Sequence, residues 1–229
     1  MKAAVLRSLL DAQRRRQPVA LLTNLANGEQ RLVGADEAPG DPLAAALGDG
    51  FRFDRSVVVR SEEGEFFVNI HNPPLKLVVI GAVHIAQALI PMAQAAGYDV
   101  TVIDPRGAFA TPQRFPGVEL KEAWPDEALA GMGLDRRTAL LALTHDPKID
   151  DPALALALKS NCFYLGALGS KKTHAKRTER LAALGFSAEL QKRIHGPIGL
   201  AIGARGAPEI AISIMAEMTK VLRTGTAGP

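Results

Sequence analysis

The sequence predicts an α/β protein: a mainly parallel sheet flanked by helices, preceded by a small α+β domain. From residue 74 onward, strand-like apolar segments alternate with helix-like segments, and residues 76–104 form one complete strand–helix–strand unit. Such alternation favours right-handed crossovers, which make neighbouring strands parallel. We expect two domains, residues 1–73 and 74–229, divided at Pro73-Pro74 because two consecutive prolines favour a stiff, extended link.

The first domain is predicted to contain two helices and two β-hairpins. Asn27-Gly28 is typical of a tight hairpin turn, and the acidic segment 62–64 is a second candidate turn. The predicted elements are helices over 1–17 and near 43–47, and strands over 19–22, 31–33, 56–59 and 65–70.

The strand–helix–strand unit begins with residues 77–80, an unbroken apolar run that suits a parallel strand buried on both faces. Apolar residues then recur at helical spacing over 84–96, and a second strand covers 100–103. The remaining predicted elements are strands over 118–120, 138–143 and 162–168, and helices over 125–130, 151–159, 170–184, 188–194 and 208–223. Asp151-Pro152 and Ser170 are the predicted starts of two of these helices.

The first turn of this unit resembles the G-x-G-x-x-G/A loop of dinucleotide-binding folds. Gly81 and Ala86 match its first and last positions, which make the turn and allow close helix packing. Asp104 lies where an acid that binds ribose is expected. Val83 takes the middle position, where a side chain hinders the approach of a pyrophosphate. The unit is therefore Rossmann-like, and the fold is better supported than nucleotide binding.

Composition excludes several classes of function. A net charge of +3 and an aromatic content of 5% do not indicate nucleic-acid binding. The single cysteine, Cys162, excludes an intrachain disulfide and a cysteine-clustered metal site. The amino-terminal segment does not match a secretory signal, and no apolar stretch is suited to crossing a membrane. We therefore expect a cytoplasmic protein.

In parallel sheets, ligands bind at the carboxyl ends of the strands. This rule selects the loops 81–86, 104–116, 144–151 and 166–173. His145 in the third loop is a candidate to contact a ligand or transfer a proton, with Thr144 and Asp146 beside it. The alternative is that Thr144 and Asp146 only bind the backbone of the turn. No metal site is predicted, although an oxygen-rich Mg²⁺ site built on this loop is left open.

Positive charge is concentrated at the start of the predicted helix 170–184. Lys171, Lys172, Lys176 and Arg177 lie in its first two turns, where the helix dipole is already positive. A bound phosphate would make this arrangement favourable. The alternative is a basic face exposed to water, since long lysine side chains reach solvent at little cost.

Four ordered segments resemble the XdhC/CoxI family. They are Gly-Ala-x-His-Ile-Ala-Gln-Ala at 81–88, Thr-His-Asp-Pro-Lys-Ile-Asp-Asp-Pro-Ala at 144–153, Phe-Tyr-Leu-Gly-Ala-Leu-Gly-Ser-Lys-Lys-Thr-His-Ala-Lys-Arg at 163–177, and Ile-His-Gly-Pro-Ile-Gly-Leu-x-Ile-Gly-Ala at 194–204. The resemblance covers residues 74–223. Three features depart from the family pattern: Val83 replaces a glycine, Ala201 replaces an aspartate, and the first domain is short and has no cysteine. These departures weaken the expectation of nucleotide binding and of cofactor binding through a cysteine.

The resemblance implies a maturation factor of molybdenum hydroxylases such as xanthine dehydrogenase. Such a factor binds the molybdenum cofactor, as molybdopterin or its cytosine dinucleotide, and protects it during sulfuration by a cysteine desulfurase. It then inserts the cofactor into the apo molybdenum hydroxylase. The implied assembly is a homo-oligomer, commonly a dimer, and the implied task is binding rather than catalysis. An NAD(P)-dependent oxidoreductase is the alternative that the Rossmann-like unit leaves open.

Together, the loops and the resemblance predict one cofactor site. His84 is expected at the start of the first helix, and His195, Gly199 and Gly203 are expected in a flexible cover. A structural role for His84 is equally open. The predicted cofactor-binding residues are Gly81, His84, Ala86, Asp104, Thr144, His145, Asp146, Gly169, Ser170, Lys171, Lys172, Arg177, His195, Gly199 and Gly203.

Overall fold

The computed structural model describes residues 2–225, and the chain divides into two compact units, residues 1–73 and 74–229. Each unit has its own sheet and its own apolar core. Within the described residues, no helix combines the length and the apolar character needed to span a membrane.

The first unit is a four-stranded antiparallel sheet with two helices. The strand order is β2-β1-β4-β3, so the two predicted hairpins are present and pair through β1 and β4. Its elements are α1 (Ala3–Arg14), β1 (Val19–Asn24), β2 (Gln30–Gly34), a 3-10 helix (Ala38–Gly40), α2 (Ala44–Phe53), β3 (Val57–Ser61) and β4 (Gly64–His71).

Helix α2 is longer than predicted, because two glycines interrupt its sequence signal. Gly50 is buried against β4, where an added Cβ would lie 2.7 Å from Cδ1 of Ile70. Leu47, one turn earlier, is fully buried in the core of this unit. Gly50 therefore allows the close approach that buries the helix, which outweighs the low helix propensity of glycine.

The second unit is a six-stranded sheet in which every pairing is parallel. The order β10-β9-β8-β5-β6-β7 confirms the Rossmann-like α/β prediction. The strands are β5 (Leu75–Ile80), β6 (Tyr98–Ile103), β7 (Glu119–Lys121), β8 (Thr138–Ala142), β9 (Tyr164–Ala167) and β10 (Ile194–His195). The helices are α3 (His84–Ala95), α4 (Pro125–Leu129), α5 (Pro147–Leu158), α6 (Lys171–Ala183), α7 (Ala188–Gln191) and α8 (Ala207–Thr224).

Strand β5 is central and is buried on both faces. Leu77 and Val79 belong to the apolar cluster that includes residues of α3 and α8, whereas Val78 and Ile80 belong to the cluster that includes α5. All four side chains are at most 1% exposed. Side chains alternate between the faces of a strand, so a helix layer on each face explains the continuous apolar run.

Two predicted elements were wrong. Helix α5 begins at Pro147 rather than at Asp151-Pro152, because Asp146 caps it by accepting a hydrogen bond from the backbone N–H of Lys148. Both Asp-Pro pairs carry the same cap signal, and the earlier pair starts the helix. The predicted helix over 188–194 ends at Gln191, and Ile194–His195 instead form the short edge strand β10 beside β9.

The order of strands changes direction between β5 and β8, and Gly81 lies at this point. Its φ is +109°, and an added Cβ would lie 2.7 Å from Cγ2 of Thr144 and 3.3 Å from its backbone nitrogen. Only glycine avoids both the backbone strain and the contact. The loops after β5 and β8 therefore lie side by side, as a ligand crevice requires.

We expect Gly81→Ala to destabilise the second unit by about 2–5 kcal/mol, the sum of backbone strain and overpacking. Gly97→Ala is the matched control, since Gly97 also has a positive φ, +83°, but no atom lies within 4 Å of an added Cβ. It should cost only about 1–2 kcal/mol. Urea unfolding followed by the fluorescence of Trp124, the single tryptophan, measures both. Equal losses would show that the contact with Thr144 is unimportant.

Candidate functional site

The turn after β5 lies at the crevice, but the side chains of Val83 and Ala86 in this turn pack against the core. Ala86 is fully buried, as close packing of α3 requires, and His84 is exposed at the start of that helix. Val83 precedes α3 with an extended backbone and packs against the apolar core. Its side chain therefore occupies the position where a second glycine would let a pyrophosphate approach.

Asp104 is turned inward rather than toward a ligand. It is fully buried, and its Oδ2 accepts hydrogen bonds from the Ala82 backbone N–H (2.8 Å) and from Nη2 of Arg106 (2.8 Å). Its Oδ1 accepts from the backbone N–H and from Nε of Arg106, at 3.0 and 2.9 Å. The guanidinium of Arg106 in turn lies over the ring of Phe109. The acid expected to bind ribose is thus fully engaged within the chain.

Burial by itself would raise the pKa of the Asp104 carboxyl, but the hydrogen bonds from Arg106 and Ala82 outweigh it and lower the pKa below its ordinary value. The ionised carboxylate therefore stabilises the fold at neutral pH. This contribution is complete above the ordinary pKa of an aspartate and is lost as the pH falls through the lowered folded-state value.

The loop after β8 is organised by Asp150, which is 1% exposed. Oδ1 of Asp150 accepts hydrogen bonds from the hydroxyl (2.7 Å) and the backbone N–H (3.2 Å) of Thr144, and Oδ2 accepts from the His145 backbone N–H (3.1 Å). The Thr144 hydroxyl also accepts from the backbone N–H of Asp146 at 3.0 Å, and the Asp146 carboxylate accepts from the backbone N–H of Lys148 at 2.9 Å. These contacts agree with a structural role for Thr144 and Asp146, and their contact with a ligand stays a prediction. His145 has φ +63° and an exposed side chain.

Helix α6 starts beside this loop, as predicted from Ser170. The Ser170 hydroxyl accepts a hydrogen bond from the backbone N–H of Thr173. Gly169 has φ +138°, and an added Cβ would lie 2.9 Å from Cγ2 of Thr173. Gly169 and Ser170 therefore shape the helix start, and their contact with a ligand stays a prediction.

Arg177 on α6 is buried, although the sequence suggested a basic surface residue. Its side chain is 2% exposed, and Nη2 donates a hydrogen bond to the Leu168 carbonyl at 3.0 Å. Nη2 also lies 3.9 Å from Asp150, and Nε lies 3.9 Å from Asp151. Nε and Nη1 are buried without a hydrogen-bond partner. Burial lowers the pKa of the guanidinium, although both aspartates oppose this shift.

A cavity of 220 Å³ opens above Arg177 between α6 and the loop after β8. It is lined by His145, Pro147, Lys172, Thr173, Lys176, Arg177 and Arg180. We call it the α6 pocket. The described residues that line it include no acidic side chain, although Asp151 beside it forms an ion pair with Arg180. Helix N-termini attract anions. Two nitrogens of the Arg177 guanidinium are buried without a hydrogen-bond partner, so the charge of this lining favours an anion over a cation.

The α6 pocket brings together three of the predicted residues, His145, Lys172 and Arg177. Lys171 is exposed and does not line it. Sequence reasoning missed Thr173 and Arg180, although Lys172, Lys176 and Arg180 recur every four residues, which places them on one face of a helix. In the described part of the chain, no group of three or more His, Cys, Asp or Glu is arranged to hold a metal ion.

The predicted cover does not reach this pocket. His195 lines a different cavity, which lies at the amino ends of β8 and β9. Its Nδ1 lies 3.1 Å from Oε1 of Glu217, and the other oxygen of Glu217 accepts from the backbone N–H of Gly199 at 2.8 Å. Gly203 has φ +79° in an exposed loop with open space around it. His195 was expected in a cover over the cofactor, but its ring stacks on that of Tyr164 and its Nδ1 lies beside Glu217, so it does not line the α6 pocket.

We expect Asp104→Asn to lower the free energy of unfolding at pH 7 by about 1.5–3 kcal/mol, the usual worth of hydrogen bonds to a charged group. The difference from the unsubstituted protein should shrink as the pH falls below the ordinary pKa of an aspartate, because the unsubstituted protein then loses the Asp104 carboxylate by protonation, whereas the asparagine variant has none to lose. Thermal unfolding by circular dichroism at several pH values measures it. Asp99→Asn, an exposed site on β6, is the control and should show no such trend. A gap that does not depend on pH would contradict the assigned pairing of Asp104.

Comparison with known proteins places this geometry in a family. Residues 77–218, more than half of the chain, match the XdhC Rossmann domain. The chain is 35% identical over 149 residues to the molybdenum cofactor insertion chaperone PaoD of Escherichia coli (strain K12), with 65% of this chain and 41% of that protein covered. It is 31% identical over 153 residues to a probable xanthine dehydrogenase subunit of Bacillus subtilis (strain 168), with 66% and 44% covered.

The chain thus spans less than half the length of either relative. Among solved structures, a crystal structure described as a xanthine dehydrogenase from Bacillus halodurans matches with a TM-score of 0.68 and 24% identity. That match covers 96% of this chain and 64% of the other, and at this identity it shows a common fold. The crossover order of the sheet and the sequence match over residues 77–218 agree, and the chain belongs to the XdhC Rossmann domain family.

Proposed function

We propose that this protein is a maturation factor that binds the molybdenum cofactor and helps to insert it into a molybdenum hydroxylase. The observation that carries the proposal is the α6 pocket, with the buried and incompletely paired Arg177 at its base. The relative named as a molybdenum cofactor insertion chaperone supports the choice of ligand. Binding is the proposed task, with no catalytic step assigned to the chain.

The size of the α6 pocket indicates which part of the cofactor it holds. Sites for whole small molecules usually measure about 300–1,000 Å³, so 220 Å³ suits one charged end of a larger ligand. Molybdopterin ends in a phosphate, and its cytosine dinucleotide contains a pyrophosphate. Lys172 and Lys176 would neutralise this group at the rim, where Arg180 already forms an ion pair with Asp151, while Arg177 adds positive charge from below. The pterin body then lies outside the pocket, toward the loops after β5 and β8.

The proposal includes two protein partners and self-association. An apo molybdenum hydroxylase is the recipient, which the relative described as a probable xanthine dehydrogenase subunit supports. A cysteine desulfurase supplies sulfur while the cofactor is bound, and the protein acts as a homo-oligomer such as a dimer. The desulfurase and the dimer rest on the family resemblance of the four sequence segments.

The geometry of the β5 turn argues against an NAD(P)-dependent oxidoreductase. Binding of the adenosine ribose needs a carboxylate with free oxygens, whereas all the donors to Asp104 come from Ala82 and Arg106. Val83 fills the place of the middle glycine. Both features must change before a dinucleotide can bind in the usual way.

We expect Lys172→Glu to weaken retention of molybdopterin about tenfold or more, because a charged hydrogen bond worth about 1.5–3 kcal/mol is lost and a repulsive charge is added. Lys171→Glu is the matched control: it makes the same change one residue away, but Lys171 does not line the α6 pocket. Pterin fluorescence of protein recovered by gel filtration measures retention. The melting temperature of both empty proteins should stay nearly unchanged, since both side chains are exposed. Equal retention by the two variants would rule out the α6 pocket as the phosphate site.

Thermal shift separates the proposed ligand from a nicotinamide cofactor. Molybdopterin at one hundred times its dissociation constant should add about 2.7 kcal/mol of stability, whereas NADH at millimolar concentration should add none. Stabilisation by NADH, together with hydride transfer to a carbonyl compound, would overturn the proposed function in favour of the oxidoreductase.

A further inference from the structure

Helix α8 has an outer face that is apolar in its middle and carries one charge at each end. Glu209, Ile212, Ala216 and Lys220 recur at spacings of three and four residues, which places them on one face of the helix. Ile212 is 52% exposed, and Glu209 and Lys220 are exposed as well. We call these four residues the α8 face. The proposed binding of the cofactor makes no use of this face.

The α8 face carries no exposed charge between its two ends. Among residues 210–219, all of them described, Glu217 is the one charged residue, and its side chain is 12% exposed. Its carboxylate is turned inward, where it accepts hydrogen bonds from the Tyr164 hydroxyl and from the Gly199 backbone N–H. Surface helices normally carry charged or polar residues on their outer side. The apolar surface around Ile212 is therefore suited to being covered.

The neighbouring helix α3 extends this uncharged surface. Its twelve residues, which are all described, include no Asp, Glu, Lys or Arg. It packs against α8 in the same apolar cluster. Pro91 and Ala95 are exposed on α3, and Met92 of α3 and Met215 of α8 are only partly buried. Adjacent helices with uncharged, partly apolar outer sides are typical of a surface that contacts another protein.

The α8 face is complementary to itself. When two α8 helices lie antiparallel about a two-fold axis near residue 214, Glu209 of one copy lies opposite Lys220 of the other, and Ile212 lies opposite Ala216. Each pairing then occurs twice. A large side chain faces a small one, which lets the two helices pack closely. This symmetry of charge and size favours a second copy of the chain over an unrelated partner.

We propose that two copies of this chain form a dimer through the α8 face, with Glu209 of each copy paired with Lys220 of the other. Helix α3 borders the contact. The inference rests on the self-association included in the proposed function and assigns a surface to it. Helix α6 packs on the opposite face of the sheet, since Leu181 belongs to the apolar cluster of α5. A dimer through α8 therefore leaves the α6 pocket accessible to the cofactor.

Analytical ultracentrifugation of the full chain over a concentration series measures the dissociation constant of the dimer. Ile212→Glu should raise this constant about hundredfold, because a charge replaces a central apolar side chain twice in each dimer. Leu184→Glu is the matched control: it makes a similar change at a leucine that is 63% exposed, at the end of α6 on the other face of the sheet. Its dissociation constant should equal that of the unsubstituted protein. Circular dichroism checks that both variants are folded.

A charge exchange tests the antiparallel pairing. Lys220→Glu should raise the dissociation constant about tenfold, because it places two acids opposite each other in both symmetric contacts. Adding Glu209→Lys to this variant should restore most of the lost affinity, since opposite charges then face each other again. Both positions are exposed, so neither change disturbs the core.

Three outcomes would overturn the α8 contact. They are a monomeric unsubstituted chain at the highest concentration, equal dimerisation of Ile212→Glu and Leu184→Glu, and a double charge variant that dimerises no better than Lys220→Glu. Molybdopterin retention by the unsubstituted protein is measured separately. Retention without the α8 contact would leave the maturation role standing, whereas a dimer through α8 that retains no molybdopterin would remove the maturation role and keep the contact.

Discussion

The crevice depends on one buried carboxylate, that of Asp150. It accepts three hydrogen bonds from Thr144 and His145 and faces Arg177 across 3.9 Å. Burial raises the pKa of this carboxyl in spite of those donors. The ionised form therefore has a desolvation penalty that its hydrogen-bond partners and Arg177 must offset. A side chain of α5 thereby fixes the end of β8, and the same side chain meets a cation of α6. The α6 pocket is consequently built on a buried arginine held by the core as well as on exposed lysines.

Local signals were enough to predict the fold. The apolar run of β5 identified a strand buried on both faces, and Ser170 identified the start of α6. The extra turn of α5 and the strand β10 could not be predicted, because the first has two equal cap signals and the second is only two residues long. Secondary structure this short is set by its neighbours rather than by its own sequence.

The site was harder to predict, since it depends on where side chains point. His145 and Lys172 do share a cavity, and Arg177 forms its base, although a run of basic residues gave no sign that one of them is buried. His195 is paired with Glu217, which is 22 residues away in the sequence, and no local pattern indicates such a partner. The fold does not specify a ligand either: in this Rossmann-like framework Val83 takes the place of the middle glycine, and Arg106 donates hydrogen bonds to Asp104.

The six-stranded sheet ends in two very short strands, β7 with three residues and β10 with two. Unpaired backbone N–H and C=O groups on an edge strand can pair with a strand of another polypeptide, and long, flat edge strands promote aggregation. The edge strands β7 and β10 have only a few such groups, and Glu119 and Lys121 add charged side chains to β7. Intermolecular strand addition is therefore disfavoured at either end. The two short edge strands therefore leave the second unit few backbone groups through which copies of it could aggregate.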